Sequence, residues 1–282
     1  MKLYFLCLAA SLTFGGMLHA QTAHEWAKKA ADKVKNNDYA GAIADYNDAL
    51  RLYPKDVVLY FNRGIVKYNL DHYADAIVDF DMVISLDPKF ADAYGTRGEA
   101  NRRLEHNKEA VEDYDRAIAL NPGYALAYGG RGNVELKLGN YAGAIKDYDR
   151  TVSLDPKNVQ AWNNRAYAKV KIGQYESAVH DCDRAIFLDF QYASAYGTRG
   201  EAKTNLGYYA EAITDFDKAI ALYPQNAEAY NYRGYAYYKL GKIKANYKKA
   251  LEDYDMAVRL SKNDYKPLLE YRKRAVAALN KL

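Results

Sequence analysis

The chain has 282 residues, half of them apolar by the broad count, and a formal net charge of +4. That apolar fraction is too high for a disordered chain, and the modest charge weighs against a nucleic-acid binder. Only two cysteines occur, Cys7 and Cys182, so a disulfide framework is excluded as the source of stability.

The N-terminus, Met1-Lys2 and then the apolar run Leu3–Phe14, leads through Gly15-Gly16 to Leu18-His19-Ala20. This order reads as a secretory signal peptide over residues 1–20, with cleavage after Ala20. Leu18 is larger than the small residue usual at such a site. The rival reading, a retained anchor, meets an apolar run short of the roughly 20 residues that span a bilayer. Cys7 lies too early for lipid attachment, and cleavage would leave Cys182 as the one thiol. At the other end, residues 242–282 carry eleven Lys/Arg against five Asp/Glu, so a basic terminus follows a mildly acidic body.

Between these ends one pattern recurs every 34 residues: LRLYP (50–54), ISLDP (84–88), IALNP (118–122), VSLDP (152–156), IFLDF (186–190) and IALYP (220–224). A degenerate seventh copy, VRLSK (258–262), comes four residues late. Such a period means one supersecondary unit copied in tandem, each copy burying its apolar face against its neighbours. Residues 125–156 show the unit. Tyr128, Leu136 and Leu138 mark a first helix that stops at Gly139-Asn140. Tyr141, Ala144, Ile145, Tyr148, Val152 and Leu154 then follow helical spacing, and Pro156 ends the second helix.

Four sets of anchors follow this period. Aromatics stand at Trp26, Tyr60, Tyr94, Tyr128, Trp162, Tyr196 and Tyr230, and small residues at Ala30, Gly64, Gly98, Gly132, Ala166, Gly200 and Gly234. On the second helix Ala42, Ala76, Ala110, Ala144, Ala178, Ala212 and Ala250 precede Tyr46, Phe80, Tyr114, Tyr148, Cys182, Phe216 and Tyr254 by four. In these anchors the chain resembles the tetratricopeptide repeat (TPR) family over residues 23–282. The resemblance implies an all-α, right-handed superhelical solenoid of seven helix-turn-helix units over 21–264, with repeats at about 23–56, 57–90, 91–124, 125–158, 159–192, 193–226 and 227–264. A C-terminal capping helix over 265–282 would shield the last repeat. Repeat five departs by carrying Phe190 in place of proline, which predicts a looser exit turn, and repeat seven by the insertion Lys242–Asn246, about one extra helical turn.

Where the family usually has an apolar residue, this chain has Arg63, Arg97, Arg131, Arg165, Arg199 and Arg233. Helical geometry sets the second Asp of a D-[YFC]-D triplet level with the Arg of the next repeat, as Asp81 with Arg97 and Asp115 with Arg131. A stranded guanidinium in a packed seam is costly, so this reads as a structural ladder; an anion-binding stripe is the functional alternative.

The resemblance further implies that the first helices form the concave, ligand-bearing face. Mapped residue by residue, the candidate site comprises Phe61, Asn62 and Tyr68 in repeat two, Glu99, Arg102 and Arg103 in repeat three, and Asn133 and Lys137 in repeat four. Repeat five adds Asn163, Asn164, Tyr167 and Lys171, and repeat seven Asn231, Tyr232, Tyr235, Tyr238 and Lys239. Tyr supplies area at low entropic cost, Asn bonds an extended backbone both ways, and cations hold carboxylates. Gly95, Gly129-Gly130 and Gly197 on this face either admit a ligand backbone or are tolerated through packing. The clamp by which some TPR proteins grip chaperone C-termini is missing: Phe61, Ile65, Thr96 and Leu126 stand at its positions.

Catalytic and metal-binding patterns are not found. His72 and His106 fall in inter-helix turns without Cys or paired Glu beside them, and no phosphate-binding glycine loop or nucleophile elbow occurs. The reading is a non-enzyme without cofactor: a protein- or peptide-binding adaptor of the bacterial envelope, in the periplasm or on the cell surface, with no nucleic-acid partner. A self-assembling structural protein and a binder of wall or surface glycan stay open as alternatives. So does contact of the basic C-terminal region with an anionic surface.

Overall fold

The computed structural model describes residues 14–241, 243–261 and 266–281. Most of the expected signal segment, residues 1–13, lies outside the described residues. Among the described residues every regular element is an α-helix, and they fall into seven hairpins and a final helix. The hairpins are α1 (Phe14–Lys35) with α2 (Tyr39–Leu52), α3 (Val57–Asn69) with α4 (Tyr73–Leu86), α5 (Ala91–Arg103) with α6 (Asn107–Leu120), and α7 (Ala125–Lys137) with α8 (Tyr141–Leu154). They continue as α9 (Val159–Lys171) with α10 (Tyr175–Leu188), α11 (Ala193–Asn205) with α12 (Tyr209–Leu222), and α13 (Ala227–Leu240) with α14 (Lys244–Leu260); α15 (Lys266–Leu279) closes the chain. Two compact units result, residues 1–134 and 135–282, the boundary falling inside α7.

Local chemistry sets the helix ends. Asp56 accepts from Val58 N at 2.9 Å and Leu59 N at 3.0 Å, and Asn158 and Asn226 cap α9 and α13 in the same manner. Between the helices of each hairpin one residue takes positive φ: Asn37, Asp71 and Glu105 in the first three repeats, then Gly139, Gly173, Gly207 and Gly241. α7 accordingly stops at Lys137, and Leu138 is an exposed turn residue rather than a helical one. His72 and His106 are the N-cap residues of α4 and α6 and make no side-chain cap bond.

The core of a repeat is a ring seated on a small residue. A Cβ added to Gly64 would lie 2.7 Å from Phe80 Cε1, and one added to Gly200 would lie 2.7 Å from Phe216 Cε1. Larger residues there would push the two helices apart; Tyr46, Phe80, Tyr114, Tyr148, Phe216 and Tyr254 are all fully buried as a result. Within each unit, the backbones of first helices of adjacent repeats approach closely (α1 with α3, α3 with α5, α9 with α11, α11 with α13), whereas among the described residues those of second helices do not. The first helices therefore form the inner layer of each unit.

The exit turn of repeat five has the same side-chain bond as a proline-bearing repeat despite Phe190. Asp189 accepts from Gln191 N at 2.8 Å, as Asp87 does from Lys89 N at 3.0 Å in a proline-bearing repeat, so the aspartate side chain holds the turn without proline. The insertion in repeat seven lengthens α14, which starts three residues before Tyr247, its counterpart of Tyr209. α15 packs on α13 and α14 through buried Ala275 and half-buried Tyr271, and turns Glu270, Arg272, Lys273 and Arg274 outward.

Candidate functional site

Every described arginine of the ladder sits over the aromatic three residues before it, as Arg165 does over the Trp162 ring at 4.6 Å. Its forked donors then reach two repeats. Arg97 donates from Nη1 to Asp81 Oδ1 at 2.6 Å across the seam, and from Nε to Asp113 Oδ2 at 3.0 Å within its own repeat. Arg199 does the same with Asp183 at 2.6 Å and Asp215 at 3.0 Å, and Arg233 with Asp217 and Asp253. The cross-seam partner follows from helical register, but the buried partner inside the repeat is an addition by the structure. A second cation backs three of these buried carboxylates: Lys67 on Asp79 at 2.8 Å, Lys169 on Asp181 at 2.7 Å and Lys203 on Asp215 at 2.9 Å. These ion pairs are mutually satisfied, and they fix register.

Inside the inner layer each unit holds one carboxylate drawn from the same eight-residue string, AYGTRGEA, at 93–100 and 195–202. In the first unit Glu99 accepts from Tyr68 Oη at 3.3 Å, Tyr114 Oη at 2.9 Å, Arg102 Nε at 2.8 Å and Arg103 Nε at 3.2 Å. Burial alone would raise its carboxyl; the Arg102 bonds and charge, with Tyr114 and Arg103, outweigh this and hold it below the ordinary glutamate value. Burial and then the Glu99 charge push the Tyr68 phenol up to about 12.

In the second unit Glu201 is buried and accepts from Lys171 Nζ at 2.7 Å and Tyr232 Oη at 3.0 Å. The hydroxyl has changed source. Phe216 replaces Tyr114 and carries none, while Tyr232 stands where the earlier unit has Gly130 and stacks on Phe216 at 6.0 Å. Gly130 in turn has no room for a side chain, since its Cβ would lie 2.4 Å from Tyr114 Cζ.

The glycines of the inner face divide in the same way. A Cβ on Gly95 would strike Tyr124 Cε1 at 2.5 Å, so Gly95 and Gly130 make room for the protein's own rings rather than for a ligand. Gly197 differs: a Cβ there meets nothing within 4 Å. The residue equivalent to Tyr124 is Asn226, bound up in the cap of α13, and it leaves that floor uncovered. On either side, one repeat away, Asn163 and Asn231 each hold a buried Oδ1 that receives no hydrogen bond.

The predicted site residues are thus distributed unevenly. Phe61, Asn62, Tyr68 and Asn163 are buried; Phe61 packs against Phe80 and Phe90, with ring centroids 5.9 and 5.0 Å away. Glu99, Arg102 and Arg103 form one cluster, and Asn133 and Lys137 follow on α7. Asn164 accepts from Asn163, and Lys171 lies 4.6 Å over the Tyr167 ring. In repeat seven Asn231 stands one repeat on from Gly197, Tyr232 is bonded to Glu201, Tyr235 is edge-on to Tyr271 of α15, Tyr238 to Tyr247, and Lys239 lies over Tyr235. Glu201 escaped the sequence reading, although the repeated octapeptide marks it.

Family comparison decides the class. The model described as "Tetratricopeptide repeat" matches residues 28–89, 61–125, 96–158 and 129–195, together more than half of the chain, and a second "TPR repeat" model matches 200–241. The chain belongs to the tetratricopeptide repeat family. Solved TPR structures share the fold. A TPR protein from Parabacteroides merdae ATCC 43184 matches with a TM-score of 0.63 at 21% identity, over 91% of this chain and 99% of that one. MamA matches with 0.55 at 28% identity, over 61% and 94%. YrrB, described as a TPR protein with an unusual peptide-binding site, matches with 0.57 at 25% identity, over 69% and 97%. A search of the curated proteins finds no match. As a TPR protein the chain has a scaffold fold whose ordinary work is holding other proteins.

Proposed function

We propose that this TPR protein is a non-catalytic scaffold of the bacterial cell envelope that holds an extended segment of a partner protein along the inner helices of repeats five to seven. Gly197 carries the reading. It is a helical glycine with open space above it, costing its helix about 1 kcal/mol relative to alanine. The flanking Asn163 and Asn231 lack partners for their amide oxygens, and an extended backbone supplies N–H groups. Tyr167, Lys171 and Tyr232 form the surrounding wall, with Lys171 and Tyr232 already fixed on Glu201. A wall ordered before binding lowers the entropic cost of binding. The peptide-binding site named for YrrB points the same way. The envelope location rests on the N-terminal sequence, Met1–Ala20.

The test is position-specific photocrosslinking in the cell of origin. A photoreactive residue at position 197 is expected to trap a polypeptide, and one at Lys218, exposed on α12, is not. Equal trapping at both positions, or none at 197, contradicts the reading.

A further inference from the structure

The hairpin turn of repeat seven is unlike the six before it. From 239 to 249 the sequence reads KLGKIKANYKK, five lysines with no acidic residue. Lys239, Lys244, Lys248 and Lys249 are exposed, and among the described residues none has a carboxylate within ion-pair distance; Lys239 and Lys249 lie only over the Tyr235 and Tyr237 rings. Lys244 and Lys248 stand one helical turn apart at the start of α14, where the helix dipole disfavours cations. Lysine stems normally lie along apolar surface with their heads in water; here the apolar surface itself projects. Ile243 is 56% exposed and Leu240 36%. The neighbouring turn of repeat six adds Tyr208 at 55% exposure, and that of repeat five adds exposed Ile172. The acidic residues of those two turns, Glu176 and Glu211, have no counterpart in repeat seven.

We infer that this edge of the second unit docks on an anionic lipid surface, with Ile243 and Leu240 entering the headgroup boundary and the lysines facing the lipid phosphates. The shape selects a surface over a discrete ligand. A convex turn with its apolar tip outermost has no concavity for a small anion, and an acidic protein surface gives Ile243 no apolar medium to enter. A fluid interface accepts both the cations and the protruding side chains. Tyr208 fits the same level, where amphipathic rings collect. No helix among the described residues is long and apolar enough to cross a membrane, so the docking proposed is peripheral.

Vesicle co-sedimentation of the full chain tests this, since any contribution of residues 1–20 is common to all variants. Wild type is compared with Lys244→Glu/Lys248→Glu/Lys249→Glu and with Ile243→Asp, on vesicles of phosphatidylcholine alone and of phosphatidylcholine with phosphatidylglycerol. Circular dichroism confirms that the variants stay folded. The triple variant is expected to bind the anionic vesicles about a hundredfold more weakly, and Ile243→Asp about tenfold. Equal binding of wild type and triple variant to anionic vesicles overturns the proposal. So does equal binding of wild type to both kinds of vesicle. Retention on immobilised polyglutamate, lost in the triple variant without any lipid difference, would instead assign the corner to an acidic polypeptide.

Discussion

Cys182 faces Ala166 in repeat five, where Gly64, Gly98, Gly200 and Gly234 of other repeats each meet an aromatic ring. The two departures compensate: a smaller anchor meets a larger neighbour, and both are fully buried. Cys182→Phe alone should overpack the site and cost about 1–3 kcal/mol, since the ring would meet the Ala166 methyl. With Ala166→Gly added, most of that loss should return. A double-mutant cycle by urea denaturation checks it, and the expected coupling is about 1–2 kcal/mol. Additive effects would mean that the pair does not share the space.

The arginine ladder predicts a different signature. Arg199→Met removes both the bidentate partner of buried Asp215 and the bond to Asp183. It leaves Lys203 as the remaining cation on Asp215, so the loss should be about 3 kcal/mol, the lower part of the range for breaking a buried pair. Adding Asp215→Leu should recover part of it. If Arg199→Met left stability unchanged, the ladder would not be structural.

Glu99 makes stability depend on pH in a stated direction. Its folded carboxyl lies below the ordinary value, while an unfolded glutamate titrates near about 4.3. A group lowered in the fold contributes fully above the unfolded value and loses that contribution as pH falls through the folded one. Glu99→Gln should therefore destabilise at pH 7, and the gap from wild type should narrow below about pH 4. Tyr68 acts at the other extreme. Its phenol is raised to about 12 by burial and then by Glu99, so its contribution to stability should fall as pH rises from about 10 towards 12; Tyr68→Phe removes that share, while other buried tyrosines such as Tyr114 and Tyr124, also raised, keep theirs. Denaturation midpoints across the two pH windows, with phenolate absorbance, check both.

Glu105 stands at φ +65° in the turn where later repeats have glycine. A left-handed conformation costs an L-residue with a side chain about 1 kcal/mol, so Glu105→Gly should stabilise by about that amount. The reverse change, Gly207→Ala at φ +84°, should destabilise similarly. Thermal unfolding of both variants decides it.

Much of this was legible in the sequence, because a period of 34 repeats the same physical demand seven times. Arg97 level with Asp81 follows from helical register, and the TPR resemblance marked Gly64, Phe80, Gly200 and Phe216 as anchors, although the ring that each glycine meets came from the structure. What escaped depends on a neighbour's identity. Gly95 and Gly197 lie in identical octapeptides, yet Tyr124 covers one and Asn226 leaves the other open. Phe61 and Tyr68 occupy positions that face the groove by register, but adjacent repeats bury them. Glu201 gained its role only because Tyr232 brings the hydroxyl that Phe216 lacks.

The most direct measurement is the affinity of peptides selected from a random library on wild-type protein, then titrated against Gly197→Leu. A Cβ at position 197 meets nothing within 4 Å, so the variant is expected to keep its fold, and an unchanged melting temperature is the control. The account predicts at least a tenfold loss of affinity for Gly197→Leu and none for Lys218→Leu on α12. Equal affinity of wild type and Gly197→Leu would show that no chain passes over this floor, and would contradict the account.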